Sequence, residues 1–103
     1  MADIPTLIEA MQERAESLST LGYKVRFDLT DAGESILLDA TSGAADLSQG
    51  AGEADAVLKL SSDTLEKLVR GRIGPMLAFS TGRLKVEGSQ GVALKLASLL
   101  NGD

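Results

Sequence analysis

Few side chains in this chain are of the kinds that enzymes use for catalysis. The 103 residues include no His and no Cys, which excludes imidazole bases, thiolate nucleophiles, disulfides and the usual zinc ligands. The carboxylates at or beside predicted strands, Asp28, Asp39 and Asp55, have no spacing that pairs them, so we assign them no acid–base role. The glycines at positions 71, 74, 82, 88 and 91 match no phosphate-binding loop or dinucleotide fingerprint. The sequence therefore predicts no catalytic residue, no cofactor and no metal site.

A group of basic side chains in the second half of the chain is the main polar feature. The formal net charge is −5, which disfavours a nucleic-acid partner, yet Lys67, Arg70, Arg72, Arg83 and Lys85 lie close together along the sequence. Such a group can bind a carboxylate, a CoA phosphate or an anionic membrane surface. Arg70 and Arg72 are the predicted head-group contacts. The alternative is a solvated helix face, since charge clusters on exposed helices are common.

Helical segments in the second half carry more apolar surface than a small sheet can cover. The segment 76–79 (MLAF) is apolar on all sides, and in the last helix only Gln90, Lys95 and Ser98 are clearly polar. A surface helix normally needs an apolar stripe of about 100°. The excess must meet other helices, a partner protein or an apolar ligand. Periodicity does not distinguish a filled core from a ligand tunnel.

Hydropathy patterning predicts the elements that position these side chains, in the order α-β-β-β-β-α-α-β-α. The predicted helices are Ala2–Leu21 with Asp3 as its cap, a helix from Ser62 or Asp63 to Arg70, Met76–Thr81, and Gln90–Leu100 with Ser89 as its cap. In the second of these, Glu66 is placed to complete a capping box with Asp63. The predicted strands are Tyr23–Thr30, Ser35–Ala40, a weak edge strand near Ala45–Ser48, Ala56–Leu60 and Arg83–Gly88. We expect one α+β domain over residues 1–103: a five-stranded, mainly antiparallel sheet covered on one face by helices.

Four sequence blocks in this second half resemble a known family. They are DAVLKLS at 55–61, LEKLVRG at 65–71, PMLAFSTGRLKVEG at 75–88 and ALKLASLL at 93–100. In this order they resemble the sterol carrier protein type 2 (SCP-type) family, and the chain looks like a bacterial single-domain member. The resemblance implies an apolar tunnel between sheet and helices for fatty acids, acyl-CoA, phospholipids or sterols, in a protein that is generally non-catalytic. The chain departs from the family in its region 41–54, which is poor in large residues, and in lacking a peroxisomal tail.

The apolar helical positions and the sheet face beneath them form the predicted ligand site. The predicted lining is Leu65, Leu68, Val69, Met76, Leu77, Phe79, Leu94, Leu96, Leu99 and Leu100, over a floor of Val25, Phe27, Ile36 and Leu38. Ordinary core packing is the alternative for each of them. The predicted function is non-catalytic binding or transfer of a fatty acid, acyl-CoA, phospholipid, isoprenoid or sterol-like lipid. The alternative is an accessory domain that docks on a partner enzyme of lipid or quinone metabolism through its C-terminal helix.

The predicted setting follows from what the sequence does not contain. No apolar run approaches the length of about 20 residues that spans a bilayer, and no signal peptide is visible at the N-terminus. We therefore expect a cytoplasmic monomer that makes at most transient contact with a membrane or an enzyme.

Overall fold

The structure, a computed structural model, describes residues 3–50 and 52–101. The helices are α1 (Ile4–Gln12), α2 (Ala15–Leu18), α3 (Ser62–Val69), α4 (Pro75–Ser80) and α5 (Gln90–Asn101). The strands are β1 (Lys24–Leu29), β2 (Glu34–Asp39), β3 (Asp46–Gln49), β4 (Ala56–Leu60) and β5 (Leu84–Gly88). The predicted α+β class and element order are confirmed, except that two helices stand where one was expected at the N-terminal end. Residues 1, 2, 51, 102 and 103 of the predicted domain, including the predicted helix start at Ala2, lie outside the described residues.

The five strands form one sheet in the order β3-β2-β1-β4-β5. All neighbours are antiparallel except β1 and β4, which run parallel, so the mainly antiparallel prediction is confirmed. The register places Phe27 beside Ile36 on one side and Leu58 on the other. Because side chains alternate along a strand, these three residues point to the same face, together with Val25 and Leu38. All five of these side chains are fully buried.

The helices cover the buried face of the sheet. Helix α5 packs over β4 and β5, α1 packs near β3, and α3 contacts both α1 and α5. Helix α4 lies against β5 and α5. Within the described part of the chain, the only buried polar residues are Ser62 and Thr64. The space between helices and sheet is therefore an almost purely apolar layer.

The first helix is interrupted, contrary to the single amphipathic helix that the sequence predicts. Arg14 has a non-helical backbone (φ −102°, ψ 11°) between α1 and α2, and its Nη2 donates a hydrogen bond to the Val69 carbonyl at 3.1 Å. This bond ties the break to the end of α3, where carbonyl groups lack helical partners. The predicted cap at the start of α1 is confirmed, because the Thr6 N–H donates to Asp3 Oδ1 at 2.9 Å.

The start of α3 also differs from its prediction. The cap is Ser61, whose Oγ accepts the Thr64 N–H at 3.1 Å, and not Ser62 or Asp63. The Ser62 N–H and hydroxyl instead donate to Asp31, at 2.9 and 2.6 Å. The hydroxyl and backbone hydrogen bonds from Ser62 hold the pKa of Asp31 below its ordinary value. The predicted capping-box residue Glu66 pairs with Arg70, at 3.6 Å.

A polar network occupies part of the opposite face of the sheet. Asp28 Oδ1 accepts from Arg26 Nε and from the Ser35 hydroxyl, each at 2.8 Å, and Arg26 Nη1 donates to the Gly52 carbonyl at 3.2 Å. Burial acts to raise the pKa of Asp28, but the hydrogen bonds from Ser35 and Arg26 outweigh it and lower the pKa. Asp28 thus orients Arg26, and Arg26 holds the segment after β3 against the sheet through the Gly52 carbonyl.

Candidate ligand site

Nine of the fourteen predicted ligand-binding residues meet in the apolar layer. The floor residues are in β1 and β2, and the others are in α3 and α5 above them. All nine are buried: Val25, Phe27, Ile36, Leu38, Leu65, Leu68, Val69, Leu96 and Leu100. Leu99 is partly buried and packs against the same core. The structure therefore brings together the residues that the sequence assigned to a floor and a roof.

The layer is filled by its own side chains. Eight of the nine residues, all except Val69, have an exposed fraction of 0%. A side chain with no accessible area borders no void as large as a water molecule, so no open tunnel runs beside these eight. Close packing of this kind is normal for a protein core. A ligand can therefore enter the layer only if a covering element moves.

Four predicted lining residues lie at the surface instead of in the interior. Met76, Leu77 and Phe79 of α4 are 66%, 57% and 41% exposed, and Leu94 of α5 is 37% exposed. Helix α4 has only six residues and contacts β5 and α5 on one side, so Ala78 is its one buried residue. We call Met76, Leu77 and Phe79 the α4 patch. Whether these residues contact a ligand stays a prediction.

The predicted head-group residues Arg70 and Arg72 are exposed near the end of α3. Together with Glu13, Arg14 and Val69 they line an open depression of about 340 Å³. Arg70 forms an ion pair with Glu66, as described above, and Arg14 donates a hydrogen bond to the Val69 carbonyl. Arg72 has no such partner among the ion pairs of the described residues. A head-group role for Arg70 and Arg72 remains a prediction.

A second depression, of about 370 Å³, collects basic residues at the β5 edge of the sheet. Its lining includes Lys59, Arg83 and Lys85 together with Leu60. Lys59 lies opposite Lys85 in the β4–β5 register and reaches Glu87 Oε2 at 3.1 Å. Proximity along the chain groups Arg83 with Lys85 but misses Lys59. Only the pairing of β4 with β5 brings Lys59 there, and spacing along the chain gives no signal of that pairing.

The buried polar side chains are used by the fold. In the part of the chain that the structure describes, no buried side-chain nitrogen or oxygen lacks a hydrogen-bond partner. No group of three or more acidic, His or Cys side chains among those residues is arranged to hold a metal ion. None of the helices described there has the length and apolar character needed to cross a membrane.

Comparisons with known proteins agree with this fold. The model of the SCP-2 sterol transfer family matches residues 4–101. Hydroxysteroid dehydrogenase-like protein 2 of Bos taurus is 33% identical over 79 residues, which cover 74% of this chain and 19% of that protein. The chain thus matches about a fifth of the length of this relative.

Two solved structures share the architecture. Sterol Carrier Protein 2 from Yarrowia lipolytica, in its apo form, is 34% identical with a TM-score of 0.69, covering 90% of this chain and 77% of that one. The sterol carrier protein domain 2 of Helicoverpa armigera has a TM-score of 0.71 at 24% identity, covering 94% and 84% of the two chains. The second likeness shows the fold alone.

Proposed function

The chain belongs to the SCP-2 sterol transfer family, and on that premise we propose that it binds a lipid-like ligand in the apolar layer and releases it unchanged. The ligand classes are fatty acids, acyl-CoA, phospholipids, isoprenoids or sterol-like lipids. The observation that carries the proposal is the layer itself, where the predicted floor and roof meet with only apolar side chains. We propose a carrier or accessory role without catalysis.

The chemistry of the layer suits an apolar ligand and no other kind. A polar group placed there without a hydrogen-bond partner costs roughly 1–3 kcal/mol by protein mutational data. A hydrocarbon chain gains about 0.8 kcal/mol for each methylene that it buries. About ten buried methylenes therefore supply about 8 kcal/mol, against which stands the cost of separating the packed helices.

Helix α4 is the element best suited to open the layer. It is six residues long, no side chain caps its start at Gly74, and Ala78 is its only buried residue. Little apolar contact is lost when such an element moves, and elements of low local stability supply the mobile parts of binding sites. Its displacement uncovers the sides of β5 and α5 on which it lies. We propose this as the entrance.

The absence of catalysis is supported by residue chemistry. The whole sequence lacks His and Cys, and the buried polar residues of the described part, Ser62 and Thr64, are both bonded at the start of α3. The dehydrogenase-like name belongs to a relative of which the match covers 19%. We propose no such activity for this chain.

A cavity variant tests the ligand site. Leu96→Ala removes a fully buried side chain from α5, above β4 and β5, and the void offers space that the native layer lacks. In a fluorescence titration with cis-parinaric acid we expect saturable binding by the native chain and several-fold tighter binding by Leu96→Ala. Leu7→Ala is the matched control, because Leu7 is equally buried but lies in α1 on the β3 side of the sheet.

Both alanine variants lose about 2–5 kcal/mol of stability, as buried Leu→Ala changes do. Circular dichroism establishes that each is folded, and Leu96→Val is the milder substitute if Leu96→Ala is not. The proposed location of the ligand site is wrong if Leu7→Ala tightens the binding of parinaric acid as much as Leu96→Ala does. The proposed function is wrong if the native chain binds no parinaric acid up to the solubility of the probe and native mass spectrometry of the purified protein finds no lipid.

The accessory-domain alternative receives less support from the packing of α5. Ala93, Leu96, Ala97 and Leu100 of this helix are buried in the core of the chain itself, so most of its apolar arc is already covered. Leu94 is the one large apolar residue of α5 with an exposed side chain among the described residues. The cytoplasmic location, monomeric state and bacterial source inferred from the sequence stay predictions.

A further inference from the structure

We propose that the β5 edge of the molecule docks on an anionic membrane surface. The α4 patch enters the interfacial region of the lipid, and Arg83 and Lys85 contact the lipid phosphates. This inference rests on the proposed function, because it identifies the partner with which the ligand is exchanged. We call the α4 patch together with Arg83 and Lys85 the β5-edge surface.

The apolar half of this surface is a local concentration of exposed large side chains. The described residues include five large hydrophobic residues with exposed side chains: Tyr23, Met76, Leu77, Phe79 and Leu94. Three of them are in α4, and a fourth, Leu94, is in α5, which α4 contacts. Single exposed apolar residues are normal, whereas a contiguous group marks a surface that binds a protein or a membrane.

The charged half lies at the same edge of the sheet but on the face opposite the helices, because Arg83 and Lys85 alternate with the buried Leu84. Between residues 67 and 86 the sequence has five basic residues and no acidic residue, although the whole chain carries −5. Arg72 precedes α4 and Arg83 follows it, each by three positions. Arg83 and Lys85 line the 370 Å³ depression beside β5 and form none of the ion pairs found among the described residues. Unpaired cations of this kind attract anionic lipid at about 1 kcal/mol each.

Other surfaces of the molecule lack this combination. The helical surface of α1 and α2 carries Glu9, Glu13 and Glu16, which repel an anionic bilayer. The opposite sheet edge, β3, begins with the exposed Asp46. An acidic protein would satisfy the cations, but three adjoining large apolar side chains on one short helix fit the acyl boundary of a bilayer better. The same helix is the proposed entrance, so docking would open the layer towards the lipid source.

Vesicle co-sedimentation tests the inference directly. The native chain should bind vesicles of phosphatidylcholine mixed with phosphatidylglycerol, bind vesicles of phosphatidylcholine alone more weakly, and lose affinity as salt is added. Arg83→Gln with Lys85→Gln should weaken binding to the anionic vesicles by roughly 25-fold, about fivefold for each cation. Met76→Gln with Leu77→Gln should weaken binding to both vesicle types by about tenfold or more.

Two matched controls separate position from composition. Gln12→Glu with Gln49→Glu changes the net charge by the same two units at exposed sites away from β5, and Tyr23→Gln removes an exposed aromatic outside the patch. Both controls should bind the anionic vesicles within about twofold of the native chain. The substituted side chains are all exposed, and circular dichroism verifies each fold.

The results of these titrations separate this inference from the proposed function. If the native chain binds parinaric acid but not anionic vesicles, the docking surface is wrong and the carrier function stands. If the charge-matched control weakens binding as much as the Arg83 and Lys85 changes, the placement of the cations is irrelevant and the inference is overturned. If the native chain binds vesicles but no parinaric acid, the carrier function is wrong. The docking inference, which rests on that function, is then overturned as well.

Discussion

The substitution Gly88→Ala probes how tightly the end of β5 is held. Gly88 has φ +79°, and a Cβ placed on it would lie 2.7 Å from the Asp55 carbonyl oxygen and 3.3 Å from the Ala56 Cα. The same Asp55 oxygen accepts the Ser89 N–H at 3.1 Å. Both contacts are with backbone, so no flexible side chain can move aside. The added methyl group must push β5 away from β4.

The expected loss combines two terms. The left-handed backbone costs a non-glycine residue about 1–2 kcal/mol. Relief of the 2.7 Å contact strains the β4–β5 pair, and overpacking of this kind costs about 1–3 kcal/mol. Weakening of the hydrogen bond from Ser89 to Asp55 is part of this second term, at roughly 0.5–1.5 kcal/mol. We therefore expect Gly88→Ala to lower the free energy of unfolding by about 2–5 kcal/mol.

Gly22→Ala isolates the conformational term. Gly22 has φ +78°, nearly the same as Gly88, but no atom lies within 4 Å of the position that a Cβ would take there. Urea unfolding followed by far-UV circular dichroism should show a loss of about 1–2 kcal/mol for Gly22→Ala and a clearly larger loss for Gly88→Ala. The packing argument fails if the two variants agree within about 0.5 kcal/mol, the usual precision of such comparisons.

Two further substitutions test the start of α3. The hydrogen bonds from Ser62 hold the pKa of Asp31 below its ordinary value of 3.8. The carboxylate therefore stabilises the fold fully above pH 3.8, and this stabilisation is lost as the pH falls through the lowered pKa of the folded state. Asp31→Asn should therefore be less stable than the native chain at neutral pH, and urea midpoints measured down the pH scale should converge in acid; a constant difference would contradict this. Ser61→Ala removes the cap on the Thr64 N–H and should cost about 1 kcal/mol in urea unfolding, whereas an unchanged midpoint would show that the cap contributes nothing.

The strands follow from the sequence because period-two alternation directly reports a half-buried sheet. Val25 and Phe27 alternate with Arg26 and Asp28, and the structure buries the first pair more than the second. The parallel contact of β1 with β4 has no comparable signal. This pairing depends on the path that the chain takes between β3 and β4, and no local sequence pattern predicts that path.

The helix errors share a physical cause, which is bonding between residues far apart in the sequence. The break at Arg14 has no Gly or Pro to mark it, and the Val69 carbonyl that the Arg14 side chain meets is 55 residues away. Serine is a residue type that often caps helices, but the Ser62 hydroxyl donates instead to Asp31, which is 31 residues away in the sequence. Such partners appear only once the fold brings them together.

The candidate site was predicted in part for a related reason. Apolar positions on α3 and α5 have a core to enter, so Leu68 and Leu96 are buried as expected. Helix α4 is also apolar, yet a six-residue helix at a sheet edge covers its neighbours on one side only, which leaves Met76 and Leu77 outside. Residue type indicated the apolar character, whereas exposure depended on the position of the helix in the fold.

The single parallel pairing between β1 and β4 also bears on the order in which the molecule assembles. Strands β1, β2 and β3 follow one another through short links and pair as neighbours, whereas Val25 reaches Ala56 only after a long loop closes. Non-local pairing forms more slowly than local pairing. We expect the meander to fold first and the segment from β4 to α5 to join it last, so that this segment can loosen while the meander stays intact.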